Sequence, residues 1–260
     1  MKNVTLVALA LSFALAACSD SNTGTVSFSL TSRQAAAPAP GASFSSVAAA
    51  ASVAAAGDST VIVLGSDTVI VRSAQLVLRK VELKRSDVAS CDAVVGNGDC
   101  EEFETGATLV TLPLGSAMIA QQVSVAAPAG TFNAVEFEIH KPSSSEDASF
   151  IAANPDFAAI SIRVTGTYSQ AGTRSGFTYT SDINQSQETM LPSPATVQEG
   201  QGLNITLRVD ISGWYLNAAK TALVDPASAN KGGANESVVA NNIQNSFKAF
   251  EDDNHDGLEG

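Results

Sequence analysis

Histidine is nearly missing from this chain: 260 residues hold two, His140 and His255. Catalysis by a serine or cysteine nucleophile needs a neighbouring base, and neither histidine is well placed to be one. His255 lies in an acidic tail, and the alternation around His140 puts it on the wet phase of a strand end, as a solvated edge residue. Cysteine is scarce too, with three residues, which excludes a disulfide-dense scaffold. One tryptophan and three tyrosines are few for a sugar-stacking cleft. Basic residues number 14 against 26 acidic ones, a net charge of -12, so neither nucleic acid nor anionic lipid is an expected partner. Five of the basic residues, Arg72, Arg79, Lys80, Lys84 and Arg85, share one stretch that reads as a solvated strand face and its turn. No G-x-S-x-G, H-E-x-x-H, phosphate-cradling glycine loop or dinucleotide fingerprint occurs. The expectation is a protein that is not an enzyme.

What is there begins at the N-terminus. Lys2 precedes an apolar run from Val4 to Leu15, too short for the ~20 residues of a membrane span. The run ends in Leu15-Ala16-Ala17-Cys18, which resembles the lipobox of bacterial lipoprotein signal peptides. That resemblance implies cleavage before Cys18 and lipidation of its sulfur and amine, enough acyl chain for stable anchoring. Ser19, in place of an aspartate, implies the outer membrane over the inner one. The expected organisation is a signal peptide (1–17), a lipid-anchored tether (18–23), a first strand (24–32), an Ala/Pro/Ser-rich flexible segment (33–58), a β-sandwich domain (59–216), and a loop, helix and acidic tail (217–260). A competing reading makes Val47 to Ala56 an Ala-rich helix. In an oxidising envelope Cys91 and Cys100, flanking a turn-forming Asn97-Gly98, are expected to form a disulfide contributing about 2–3 kcal/mol.

Apolar and polar residues alternate in Gly24 to Leu30, Thr60 to Leu64, Asp67 to Arg85, Ala107 to Leu112, Gln121 to Ala126, Thr131 to His140, Ala158 to Tyr168, Gly176 to Ile183, Gln187 to Leu191 and Leu203 to Ile211. In the longest of these, Asp67 to Arg85, the apolar phase switches between Leu76-x-Leu78 and Val81-x-Leu83, which predicts a bulge near Lys80. Leu203 to Ile211 alternates throughout, as an antiparallel strand with one wet face requires. Short strands separated by proline and glycine predict an all-β fold, an antiparallel β-sandwich. A C-terminal amphipathic helix capped by Ser237 is expected to carry Val239, Ile243, Phe247 and Phe250 on one stripe.

Two constellations carry candidate chemistry. Asp252-Asp253-Asn254-His255-Asp256-Gly257 reads D-x-N-x-D-G, the first half of an EF-hand loop, in which alternate oxygens converge on Ca²⁺ and glycine allows the turn. The sequence stops at Gly260, the ninth loop position, so the expectation is a weak Ca²⁺ site through Asp252, Asn254 and Asp256, set against a solvated acidic tail. Glu136 and Glu138 point to one face of a strand about 7 Å apart, a spacing usable for glycoside hydrolysis. They supply the alternative function, a glycan-active hydrolase.

Gly24-Thr25-Val26-Ser27-Phe28-Ser29-Leu30-Thr31, the Ser73 to Lys84 strand, Pro128-Ala129-Gly130-Thr131-Phe132 and the closing Asn242-Ile243-x-x-Ser246-Phe247-x-x-Phe250 with its acidic D-G tail form a recognisable set. It resembles bacterial lipoproteins carrying an uncharacterised, prealbumin-like or Ig-like β-sandwich domain. The resemblance implies a sandwich in the cell envelope and transfers no catalytic residue. The expected function is a non-enzymatic binding or structural module, monomeric, anchored to the membrane at Cys18, with an unknown protein or glycan partner.

Overall fold

The computed structural model describes residues 23–32, 52–56, 58–85, 100–104, 106–115 and 119–259. Cys18 and Cys91 lie outside these residues, and only the backbone of Cys100 is described, so the lipidation and disulfide expectations fall beyond them. The described strands are β1 (Thr23–Thr31), β2 (Ser52–Ala56), β3 (Ser59–Leu64), β4 (Asp67–Lys84), β5 (Cys100–Glu104), β6 (Thr108–Thr111), β7 (Ala120–Pro128), β8 (Gly130–Ile139), β9 (Ile162–Gln170), β10 (Thr173–Ser181), β11 (Gln185–Val197), β12 (Gly202–Val209) and β13 (Phe247–Glu251). The described residues also form two short α-helices, α1 (Ala148–Ala153) and α2 (Glu236–Gln244), and short 3-10 turns at Pro155–Phe157, Ile211–Gly213 and Pro226–Ala229.

These strands form an all-β sandwich of two sheets. One has the order β13-β12-β1-β7. The other is organised on β4, whose 18 residues are long enough to pair β3, β6 and β5 in succession and also β9 and then β8. β8 in turn pairs β11. The hand-over from β9 to β8 occurs at Val77, whose N–H donates to the Ser161 carbonyl (2.8 Å) while its own carbonyl accepts from the His140 N–H (2.9 Å). The expected bulge is present: Lys80 has φ +52°, and the β4–β8 register shifts between Arg79 and Glu82. The bulge restores the inward phase, so that Leu76, Leu78, Val81 and Leu83 are all buried.

The core joins both sheets. Val26, Phe28 and Leu30 of β1 and Leu203, Ile205, Leu207 and Val209 of β12 belong to the same cluster as Val135, Phe137 and Ile139 of β8. Phe137 meets Phe247 of β13 across the sheets at 5.0 Å between ring centroids. Trp214, Tyr179 and Tyr215 fill one end, with Tyr215 edge-on to both Phe177 and Tyr179. The Trp214 indole N–H donates to Ser246 Oγ at 2.9 Å, tying the segment after β12 to the residue before β13.

Several expectations are corrected. β1 and β12 run parallel, Thr25 to Gly202 through Thr31 to Arg208, so one pairing of an otherwise antiparallel sandwich is parallel. Residues 52–56, expected within a flexible segment or an Ala-rich helix, form β2 antiparallel to β3; once β3 offers an edge, backbone pairing outweighs the alanine preference for helix. The C-terminal helix ends at Gln244, with Asn235 at its N-cap position and Ser237 inside it. Val239 and Ile243 are buried from the helix, whereas Phe247 and Phe250 lie on β13, pointing to opposite faces. Spacings of i+4 and i+3 fit helix and strand alike where the chain changes element between them. β12 has no wet face at Thr206 and Arg208: both are buried beneath the C-terminal residues.

Candidate functional site

Two places concentrate polar chemistry. The first lies where β8 ends. His140, expected in solvent, is 2 % exposed, because its backbone closes the Val77 hinge and the following loop folds over its ring. That loop turns through Ser143, whose carbonyl accepts from the N–H groups of Glu146 (3.3 Å) and Asp147 (2.8 Å), and runs into α1. The turn delivers Asp147 to the imidazole: Nε2 lies 2.8 Å from Asp147 Oδ2, which also accepts from the Ser143 N–H at 2.9 Å. Nδ1 on the far side of the ring faces Glu138 Oε1 at 3.5 Å, beyond a hydrogen bond, and has no other partner.

Arg79 of β4 joins the group from the neighbouring strand. Its Nη2 is 2.9 Å from Glu138 Oε2 and its Nη1 3.0 Å from Glu146 Oε2. Burial favours the neutral guanidine, but the bonds to Glu146 and Glu138 outweigh it and raise the Arg79 pKa. Burial likewise opposes charge on Asp147, yet the Ser143 N–H, the His140 ring and Arg79 together hold its carboxyl below the usual range. Glu136 and Glu138, expected on an open strand face, are both buried. Glu138 carries Arg79, and Glu136 stands in register between Glu188 of β11 and Glu82 of β4. Lys84 of β4, also buried, is bonded to Glu188, so the basic stretch is in part an internal counter-charge and not a solvated face.

The second place is the tail. Asp252, expected in solvent, is 2 % exposed. Its N–H donates to the Asn204 carbonyl (2.9 Å), and its Oδ2 accepts from Thr206 Oγ1 (2.9 Å) and the Gly257 N–H (3.0 Å). The Asp256 N–H donates to Asp252 Oδ1 (3.1 Å) and Asn254 Oδ1 (3.0 Å), and the Leu258 N–H to Asp256 Oδ1 (2.8 Å). Gly257 has φ +75°, the left-handed turn that glycine adopts freely. The three sequence-selected residues are thus brought into one loop. A surface cavity of about 170 Å³ beside it is lined by Asp252, Asn254 and Leu258 together with Glu251 and Asp253. Burial, and then the Asp253 charge, push the Glu251 carboxyl up. Arg208 lies over the Phe250 ring and 3.4 Å from Glu259, closing the tail onto the outer face of β12.

The cluster at His140 was not legible as a site, because Arg79 is about sixty positions away in the chain and alternation assigns His140 to solvent. Its one local signal is the seven-residue spacing of His140 and Asp147 around Pro142, a turn that returns the chain on itself. Comparison of the chain with protein-family models, with curated proteins and with solved structures finds no match.

Proposed function

We propose that this chain is a lipid-anchored lipoprotein of the bacterial cell envelope, more specifically of the outer membrane, and that its sandwich is a non-enzymatic binding or structural module. The observation that carries the reading is Leu15-Ala16-Ala17-Cys18 standing directly ahead of β1. β1 is an interior strand, paired on both edges by β12 and β7. A lipid on Cys18 therefore ties the membrane to the middle of a sheet, across residues 19–22. Expression in a bacterial host tests this: the wild-type chain enters the detergent phase and its mature form begins at lipid-modified Cys18 by mass spectrometry. A Cys18→Ser chain that fractionates and is processed like wild type overturns it. Cross-linking in the membrane fraction then identifies the protein or glycan partner, against which the monomeric module is assayed.

A second reading attaches to the tail. Asp252, Asn254 and Leu258, the first, third and seventh positions of the D-x-N-x-D-G loop, border one cavity with Glu251 and Asp253, and Asp256 is bonded within the same loop. Calorimetric titration with Ca²⁺ is expected to give saturable heat that Asp256→Ala reduces; no heat at millimolar Ca²⁺ removes the reading. The glycan-hydrolase alternative is weaker, since the Glu138 carboxylate is engaged by Arg79 and Glu136 is buried. Turnover on a polysaccharide panel, lost in Glu136→Gln or Glu138→Gln, would establish it.

A further inference from the structure

We propose that His140, Glu146 and Asp147 form a binding site for a divalent transition-metal ion of the Zn²⁺ class, with Glu138 and Arg79 as its supporting shell.

The geometry is that of a ligand set. One ligand atom from each of His140, Glu146 and Asp147 lies within 4.8 Å of the other two. His140 Nε2 and Asp147 Oδ2 are 2.8 Å apart. Nitrogen and oxygen ligands held about 2.1 Å from a tetrahedral Zn²⁺ stand roughly 3.4 Å apart, between these two values. One imidazole with two carboxylates selects a borderline ion over Ca²⁺ or Mg²⁺, which take oxygen alone.

The orphaned nitrogen points the same way. A neutral imidazole has one N–H and one lone pair, but here both nitrogens face carboxylate oxygens, Asp147 at 2.8 Å and Glu138 at 3.5 Å. With either tautomer alone, one lone pair faces another inside the protein. A metal on Nε2 removes the conflict: the lone pair there becomes a ligand, and the proton moves to Nδ1, which then donates to Glu138. That carboxylate–histidine–metal relay is the usual support of a metal-bound imidazole. The Ser143 N–H on Asp147 and the Arg79 guanidinium on Glu146 orient the other two ligands in the same way.

Charge closes as well. Glu138, Glu146 and Asp147 set three carboxylates against the single Arg79 guanidinium, an acidic excess that a divalent cation offsets. Glu146 is 61 % exposed in its side chain, which provides the entry path and leaves room for a water ligand. An ion held there pins the loop of residues 141–147 to the end of β8.

Calorimetric titration of the mature protein with Zn²⁺, with bound metal counted by mass spectrometry, tests the site. One equivalent is expected to bind. Glu146→Gln, at an exposed position that leaves the fold intact, should weaken it about 10-fold or more, and Asp147→Asn by about 100-fold. Asp256→Ala should leave it unchanged, which separates this site from the tail. The ¹⁵N spectrum of His140 should show Nδ1 protonated and Nε2 metal-shifted. Absence of Zn²⁺ binding, or binding that Glu146→Gln and Asp147→Asn leave unaltered, overturns the proposal, as does a ring that keeps a proton on both nitrogens at saturating Zn²⁺.

Discussion

At the scale of the residue, burial decides the chemistry of several groups. All three tyrosines have raised pKa values: Tyr168 through burial and the nearby Asp67 and Asp225, Tyr179 to about 12 through burial, and Tyr215 well above its ordinary value for the same reason. The unfolded chain ionises its phenols near pH 10, so it releases protons first, and stability falls as pH rises from there toward the folded values. Spectrophotometric titration of the folded protein should therefore lack the full three-tyrosine phenolate step near pH 10, with Tyr179 and Tyr215 ionising above it; a normal step for all three would contradict the packing around Tyr179. Asp182 has the opposite sign. Lys231 and Lys141 hold its carboxyl below the usual range, so its contribution to stability is present above the unfolded carboxylate pKa and is lost as pH falls through the lower folded value. Lys231→Met should raise the Asp182 midpoint measured by NMR. Gly166, in the middle of β9, is a steric requirement: a Cβ there would lie 2.0 Å from the Ile70 carbonyl oxygen and 2.9 Å from the Phe177 ring. Gly166→Ala is expected to cost about 1–3 kcal/mol or more in denaturant titrations.

At the scale of the element, the C-terminal segment best shows how local pattern and tertiary context divide the work. The apolar residues at 239, 243, 247 and 250 were legible as core candidates, and all four are buried. Their element was not, because helical spacing persists across the break at Asn245 while β12 offers an edge that β13 completes from Ile205–Glu251 to Val209–Phe247. Amide exchange should show residues 247–251 protected as a strand, and Phe250→Ala should cost about 3–5 kcal/mol, as deletion of a buried aromatic does. A cost below 1 kcal/mol would mean that Phe250 does not anchor the tail. Asp252→Ala should release that tail from β12, since it removes the acceptor for the Thr206 hydroxyl and for two backbone N–H groups; a loss of about 1–3 kcal/mol is expected by thermal melting. At the β4 end, the bulge at Lys80 was readable because a phase switch in an alternating strand has one economical cause.

At the scale of the whole molecule, β1 and β13 draw the two ends of the described chain into one sheet with β12 between them. A membrane anchor ahead of β1 and a cation at the tail after β13 would act on the two strands that flank β12 in the same four-stranded sheet. If so, Ca²⁺ at the tail should raise the thermal midpoint of the full mature protein, and Asp256→Ala should abolish that rise. The His140 cluster belongs to the other sheet, so Zn²⁺ and Ca²⁺ should shift the midpoint independently.

Period-two alternation and turn residues are local properties, and from them the sequence by itself determined the all-β class, most strand positions and the Lys80 bulge. Only the tertiary structure decided which polar faces are wet. Alternation marks two faces but carries no information on what covers the second one, and at His140, Glu138, Thr206 and Asp252 a returning loop or tail covers it. The parallel β1–β12 pairing and the meeting of Arg79 with Glu138 and Glu146 likewise join residues some sixty to 180 positions apart. Their contact is set by which strand edges remain open after the local pairs have formed, and no window of sequence contains that information.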